Sequence, residues 1–225
     1  LETLVKIKEK DTTLPVVMIT KNEEEDIMDM AIGNKITDYL LKPVSPQQIL
    51  LLLKKHLHQK DIISNQVTTS YRQEFGKIGM RIGECRTAED WKAMYVTLLH
   101  WETELQDTDN EMKEILQMQK SEANNAFAKF IEKSYEGWFN GEDRPLISPD
   151  IMKKVVMPKI DEGEKVFMIV IDNFRYDQWL SIRDSVMEYY NVDNAEPYFS
   201  ILPTATQYSR NAIFSGLMPD QIAKL

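Results

Sequence analysis

Leu14-Pro15-Val16-Val17-Met18-Ile19-Thr20 is a short apolar, β-branched run, the pattern of a strand buried on both faces. One helix later, Ile36-Thr37-Asp38-Tyr39-Leu40-Leu41-Lys42-Pro43 reads as a second strand. The first strand ends on a hydroxyl and the second on an amine. Strand, helix, strand predicts a parallel pair in an α/β sheet, and in open α/β sheets the chemistry gathers at the carboxyl ends of the strands. Thr20 and Lys42 therefore read as parts of one site.

Outward from this pair, residues 1–10 read as the end of a helix. Asn22, followed by Glu23, Glu24 and Glu25, supplies a cap, a capping-box partner and negative charge for the intervening helix. Gly33-Asn34 suits its left-handed C-cap. Ser45-Pro46 opens another helix, whose Ile49, Leu50, Leu51, Leu53 and Leu57 form a stripe expected to be buried.

From His58 to Gly141 strand signals vanish and the chain reads as long helices rich in Glu, Gln, Lys, Met and Leu. Gly76-Lys77-Ile78-Gly79 and Gly83 predict one interruption, Thr87-Ala88-Glu89-Asp90 a restart, and Asp107 to Asn110 a second break. Trp91, Tyr95, Leu98, Leu99 and Trp101, with Phe127, Phe130, Ile131, Tyr135 and Trp138, read as the core of a three-helix bundle. Gly141-Glu142-Asp143-Arg144-Pro145 marks a turn and a domain boundary.

Beyond it, Ser148-Pro149-Asp150 caps a short helix expected to stop at Pro158. Val166-Phe167-Met168-Ile169-Val170-Ile171-Asp172 predicts a strand, Gln178 to Tyr190 a helix, Tyr198 to Leu202 a strand, and Gln207 to Ser215 a helix closed by Gly216. That alternation starts a second parallel sheet. The chain thus reads as beginning inside one α/β domain and stopping inside another. The organisation expected is 1–57, the C-terminal part of an α/β domain; 58–141, a helical bundle; and 142–225, the start of a second α/β domain.

Composition narrows the function classes. With 36 acidic against 27 basic residues, the net charge of −9 gives no general attraction to a phosphate backbone, and no recognition helix with clustered base-contacting side chains is evident. No apolar run nears the roughly 18 residues of a membrane span. The single cysteine, Cys85, excludes an intrachain disulfide and fits a reducing compartment, so a cytoplasmic location is expected. The first residues lack an initiator Met and a signal-peptide layout, so the natural N-terminus is expected to be missing.

Thr20 and the Tyr39-x-x-Lys42-Pro43 strand end resemble the C-terminal part of a response-regulator receiver domain, over residues 1–57. The resemblance implies that Thr20 bonds phosphoryl oxygens, Lys42 pairs with their charge, Tyr39 turns inward, the Lys42-Pro43 bond is cis, and Mg2+ serves the site. It also implies a phosphoacceptor aspartate on an earlier strand, absent from this chain. An added phosphoryl charge of about −2 is enough to draw a hydroxyl and an ammonium into place. The plainer reading of the residues makes Thr20 a helix-approach residue and Lys42 a solvated lysine.

Val170-Ile171-Asp172-Asn173-Phe174-Arg175-Tyr176-Asp177, then Leu202-Pro203-Thr204-Ala205-Thr206, resembles the opening of a PglZ domain of the alkaline phosphatase superfamily. The resemblance implies Asp172 as a ligand to Zn2+ and Thr206 as nucleophile. Arg210 is then a phosphate contact or loop brace, and Asp177 a cap or supporting residue. A divalent metal suits a carboxylate at a strand end, and a helix N-terminus suits a phosphate. On local pattern alone, Asp172 and Thr206 read as ordinary helix caps. His56, His58 and His100 lie outside this constellation. With the other ligands of the family placed later, a chain ending at Leu225 is expected to bind zinc weakly and to be inactive.

The whole is of the α/β class: a partial doubly wound receiver sheet, a central α-helical bundle and the start of an alkaline-phosphatase-like domain. This layout resembles the PorX-like response regulators associated with type IX secretion. The resemblance implies a two-component system with a sensor histidine kinase, a phosphorylation-promoted homodimer, and a zinc-dependent phosphodiesterase output acting on a nucleotide or oligonucleotide substrate. The alternative is a non-catalytic regulator whose PglZ-like domain docks a sigma factor or secretion component.

Overall fold

The computed structural model describes residues 2–21, 25–140 and 144–225. The cap expected at Asn22, Glu23 and Glu24, and the turn at Gly141, Glu142 and Asp143, lie outside the described residues. The chain is mixed α/β and mostly helical, in two compact units, Leu1–Ser70 and Tyr71–Leu225.

The first unit holds α1 (Glu2–Lys10), β1 (Val17–Thr20), α2 (Glu25–Gly33), β2 (Asp38–Leu41), α3 (Pro46–Leu57) and the beginning of α4 (Gln59–Glu84). β1 and β2 are parallel, with Val17 opposite Asp38 and Thr20 opposite Leu41. The register is pinned just ahead of both strands. Thr37 N donates to Val16 O at 2.8 Å, and Val16 N donates to Thr37 Oγ1 at 2.8 Å. The turn before β1 is built on Asp11, whose Oδ1 accepts from the amides of Thr13 and Leu14.

Two expectations need correction here. The left-handed residue that closes α2 is Lys35 (φ 58°), one position beyond Gly33-Asn34. Ile36 N donates to Ala31 O and Lys35 N to Ile32 O, so the helix ends in a Schellman arrangement with Lys35 in the place glycine usually takes. The apolar stripe of α3 is not covered, since Leu51 and Leu57 are 69% and 63% exposed. A sheet of two strands has too little face to bury it. The helix itself starts as expected, with reciprocal capping between Ser45 and Gln48 behind Pro46.

In the second unit, the part of α4 after Ser70, α5 (Ala88–Glu104) and α6 (Asn110–Ser134) form the helical bundle. Thr87 and Asp90 make the capping box of α5, and Asp109 caps α6 through the Met112 amide. α4 is unbroken through Gly76, Gly79 and Gly83, contrary to the predicted interruption. Each glycine costs a helix about 1 kcal/mol relative to alanine, but Tyr71, Ile78 and Ile82 on the same helix are buried and outweigh that penalty. The bundle encloses one polar bridge. Tyr71 Oη donates to Gln119 Oε1 at 3.1 Å, and Gln119 Nε2 donates to Phe75 O at 2.9 Å. Burial pushes the Tyr71 hydroxyl up to about 12.

The expected aromatic core divides in two. Trp91, Leu98 and Leu99 are buried, whereas Tyr95, expected in the core, is exposed. Phe127, Phe130 and Trp138 carry the packing onward to Phe199, with ring centroids 6.1 Å (Phe127) and 5.3 Å (Trp138) from it. There Trp138, Ile147, Ile201 and Ala212 make a second core cluster, joined by Phe130, Tyr135 and Phe199.

After residue 143 the chain pairs Ile147 with Phe199 in one parallel bridge. Asp150, buried, accepts from the Ile147 amide and pairs with Arg144 and Lys154. The helix it opens runs through a π turn (Met152–Val156) into α7 (Met157–Asp161), so it passes Pro158 rather than stopping there. Pro158 enters directly after the π turn, where the regular hydrogen-bond ladder is already interrupted. α8 (Tyr176–Met187), α9 (Thr206–Ser215) and α10 (Pro219–Ile222) follow, and Gly216 (φ 67°) closes α9 in the left-handed region. Residues 166–171 form no strand, contrary to expectation. No ladder partner stands beside them among the described residues, and Phe167 and Ile169 are 92% and 84% exposed.

The Gln119 bridge is expected to be costly to remove. Gln119→Leu should lower unfolding free energy by about 1–3 kcal/mol, the cost of leaving the buried Tyr71 hydroxyl unpaired, measured by urea denaturation. An unchanged midpoint would show the bridge to be dispensable.

Candidate functional site

Three hydrogen bonds place the segment that leads to Thr206. Phe199 N donates to Leu146 O (3.1 Å), Ile201 N to Ser148 Oγ (3.2 Å) and Leu202 N to Tyr135 Oη (2.7 Å). Ile147, Ser148 and Ile201 are fully buried. Past the cis Leu202-Pro203 bond, the chain turns into α9, which Ala212 and Ile213 anchor from below.

The N-cap of α9 is Ala205, so Thr206 is the first helical residue and its hydroxyl is not the cap. It turns instead toward Asp172. Thr206 Oγ1 lies 3.3 Å from each Asp172 carboxylate oxygen, donating to a residue 34 positions away. Asp172 is exposed and Thr206 half-buried. The first amides of a helix lack intrahelical acceptors and carry the positive end of its dipole, so the hydroxyl, the carboxylate and an anion-attracting helix start share one locus. The residue after Asp172, Asn173, is left-handed (φ 55°).

The locus lies on an open cleft of 1870 Å³ that is also lined by Trp91, Tyr95 and Phe127 of the bundle. Arg210 lines the same cleft, one helical turn beyond Thr206. Asp177 is held by Arg175, with Nε to Oδ1 at 3.0 Å and Nη2 to Oδ2 at 2.7 Å. That bidentate pairing lowers the Asp177 carboxyl and raises the Arg175 guanidinium. Burial, and secondarily the Asp177 charge, raise the Tyr95 hydroxyl.

In the first unit the carboxyl ends of β1 and β2 bring Thr20 and Lys42 together along the backbone: Lys42 N donates to Thr20 O at 2.7 Å. Lys42, Pro43 and Lys21 line a shallow 570 Å³ groove there, and the Lys42-Pro43 bond is cis, as the receiver resemblance implies. Tyr39 lies within β2, opposite Met18.

Residues 61–139 match the family of PorX response regulator linker domains, and residues 151–225 match the BREX system PglZ alkaline phosphatase-like domain. The chain thus carries a PorX response regulator linker domain followed by a PglZ alkaline phosphatase-like domain. No curated protein matches it. The response-regulator family implies a kinase partner, and the alkaline-phosphatase-like family is phosphoesterase-like and implies a metal. Among the described residues no helix is long and apolar enough to cross a membrane.

A zinc site takes three or four protein ligands. Asp172 suits one of those positions in the PglZ domain, but among the described residues no group of three or more His, Cys, Asp or Glu side chains forms. His100 packs against Trp101 on α5, and His56 and His58 belong to the first unit. The described residues therefore do not complete a zinc site by themselves.

Sequence reasoning missed three features. Tyr135 and Ser148 act through a hydroxyl on a distant amide, while the first reads as helix core and the second as a cap. The Arg175–Asp177 pair has no helical spacing to announce it. Asp38, read only as part of a strand, accepts from Lys55 Nζ (3.0 Å) and His56 Nε2 (3.2 Å) at the end of β2 opposite Lys42. Lys55 first, then His56 and the Tyr39 amide, lower its carboxyl from 3.8 to about 2.

Because the folded value is depressed, the contribution of Asp38 to stability is complete above pH 3.8 and is lost as pH falls from there through about 2. NMR titration of its side-chain carboxyl should give a midpoint near 2. Asp38→Asn should remove that part of the acid-induced loss of stability. A midpoint at the ordinary carboxylate value would show that the pairing is not maintained.

Proposed function

We propose that this protein is a two-component response regulator whose PglZ domain is a zinc-dependent phosphodiesterase, with Thr206 as nucleophile and Asp172 as a metal-ligating carboxylate. The observation that carries the reading is the Thr206 hydroxyl directed at Asp172 from the first residue of α9. A capping role would have left that hydroxyl on the helix amides.

A phosphodiester seated at the start of α9 would have its anionic oxygens over the first-turn amides, with Arg210 one turn further along. As the Thr206 oxygen attacks phosphorus its proton is released to water, and the ester oxygen on the far side departs, taking up a proton from water. Water then cleaves the phosphothreonine ester and restores the hydroxyl. Zinc, when bound, supplies positive charge that eases hydroxyl ionisation and offsets charge on the phosphoryl group. The Arg175–Asp177 pair braces the loop between Asp172 and α8. Nucleotides or oligonucleotides are the substrate class proposed.

At the other end, residues 1–57 act as the receiver part. A sensor histidine kinase supplies the phosphoryl group, Thr20 and Lys42 contact it with Mg2+, and Tyr39 responds. Residues 58–141 form the linker bundle and 142–225 the PglZ part. Phosphorylation promotes a homodimer in a cytoplasmic protein serving type IX secretion.

The test is zinc-dependent hydrolysis of bis(p-nitrophenyl) phosphate and short oligonucleotides by the full-length protein. Asp172→Ala and Thr206→Ala are each expected to lower turnover by about a hundredfold or more while the melting temperature holds. Turnover indifferent to both changes, or none in a folded, zinc-loaded parent, would sink the reading in favour of a docking domain.

A further inference from the structure

We infer that Tyr135, at the C-terminal end of the linker's last long helix, is a positioning residue for Thr206. The inference deepens the proposed phosphodiesterase and rests on it for the kinetic consequence. It assigns no new chemistry to Tyr135. It assigns the means by which the linker holds the nucleophile's loop.

The geometry is specific to one amide. Of the three hydrogen bonds that hold residues 199–202, those of Phe199 and Ile201 go to residues 146 and 148, inside the PglZ part. That of Leu202 alone crosses to the bundle, 67 positions back in sequence, and at 2.7 Å it is the shortest of the three. Pro203 follows and has no N–H. Leu202 is thus the last residue before the Thr204–Thr206 turn that can be tied by its amide on this segment. Four residues later Thr206 meets Asp172.

The hydroxyl that receives the amide is itself well held. Tyr135 caps α6, its N–H bonded to Ile131 O at 2.9 Å. Its ring packs edge-on to Trp138 and Phe139, with centroids 5.7 Å and 5.1 Å away. Trp138 in turn touches Phe199. Phenylalanine at this position keeps each ring contact and removes the acceptor alone, so the oxygen can be tested apart from the packing.

The experiment compares the full-length protein with Tyr135→Phe by hydrogen exchange and by phosphodiester hydrolysis. Ser148→Ala serves as the variant that loosens Ile201 instead. In Tyr135→Phe, amide exchange over residues 202–206 should rise about tenfold, the equivalent of one lost hydrogen bond. Residues 146–201 and the bundle should keep their protection. Turnover should fall about tenfold or more with KM unchanged, since a nucleophile displaced by an ångström loses rate rather than substrate affinity. Ser148→Ala should raise exchange at Ile201 first.

Unchanged exchange at 202–206 overturns the inference, whatever the activity. So does exchange that rises throughout the second unit, which would make Tyr135 a general stabiliser, or a rise in KM with turnover intact. If the parent protein hydrolyses no phosphodiester, the proposed activity fails, and the exchange data still decide whether Tyr135 orders the loop.

Discussion

Everything in the second unit that bears on chemistry depends on how residues 199–202 are held. The segment is too short to make a sheet, and its single bridge to Ile147 would not fix it in place alone. Backbone amides away from water need acceptors; those of Phe199 and Ile201 find a carbonyl and a serine hydroxyl, and the more exposed Leu202 amide is tied to a tyrosine hydroxyl. The apolar side of the same residues closes over Trp138 and Ala212. Polar and apolar demands are met together, and the start of α9 is delivered where Asp172 can accept the Thr206 hydroxyl.

The linker is therefore more than a spacer. Its first two-thirds bury an aliphatic and aromatic core around the Tyr71–Gln119 bridge, and its last turns spend their aromatic residues on the PglZ part. Phe127, Phe130 and Trp138 contact Phe199 or each other across that seam. The aromatic ladder starting at Trp91 is continuous from α5 to residue 199. A bundle that needed these rings for itself would have left the C-terminal segment without an apolar foundation.

Much of this was legible in the residues. The β1–β2 pair, the helix starts at Ser45 and Thr87, the break at Asp107 to Asn110 and the Gly216 stop all follow from local rules, because each is decided within a few positions. What failed was decided at a distance. Glycines at 76, 79 and 83 bend no helix when the intervening isoleucines are buried. The apolar run 166–171 has the composition of a strand, but a ladder requires a neighbour. The resemblance implies one site holding Asp172 and Thr206, whereas spacing alone favours two ordinary caps; neither reading contains the hydrogen bond between them. Tyr135 carried no local sign, since a tyrosine in a helical apolar pattern looks the same whether its oxygen is idle or holds an amide.

The length of α6 gives its fixed points a mechanical meaning. At 25 residues it is a rod of about 37 Å, given 1.5 Å per residue. Gln119 grips it near the N-terminal third and Tyr135 sits at the far tip. A tilt of only about 2° over that length sweeps the tip by roughly 1 Å, a displacement that reacting groups do not tolerate without loss of rate. Leverage of this kind needs no hinge and no unfolding, only a helix that stays straight while one of its ends is held.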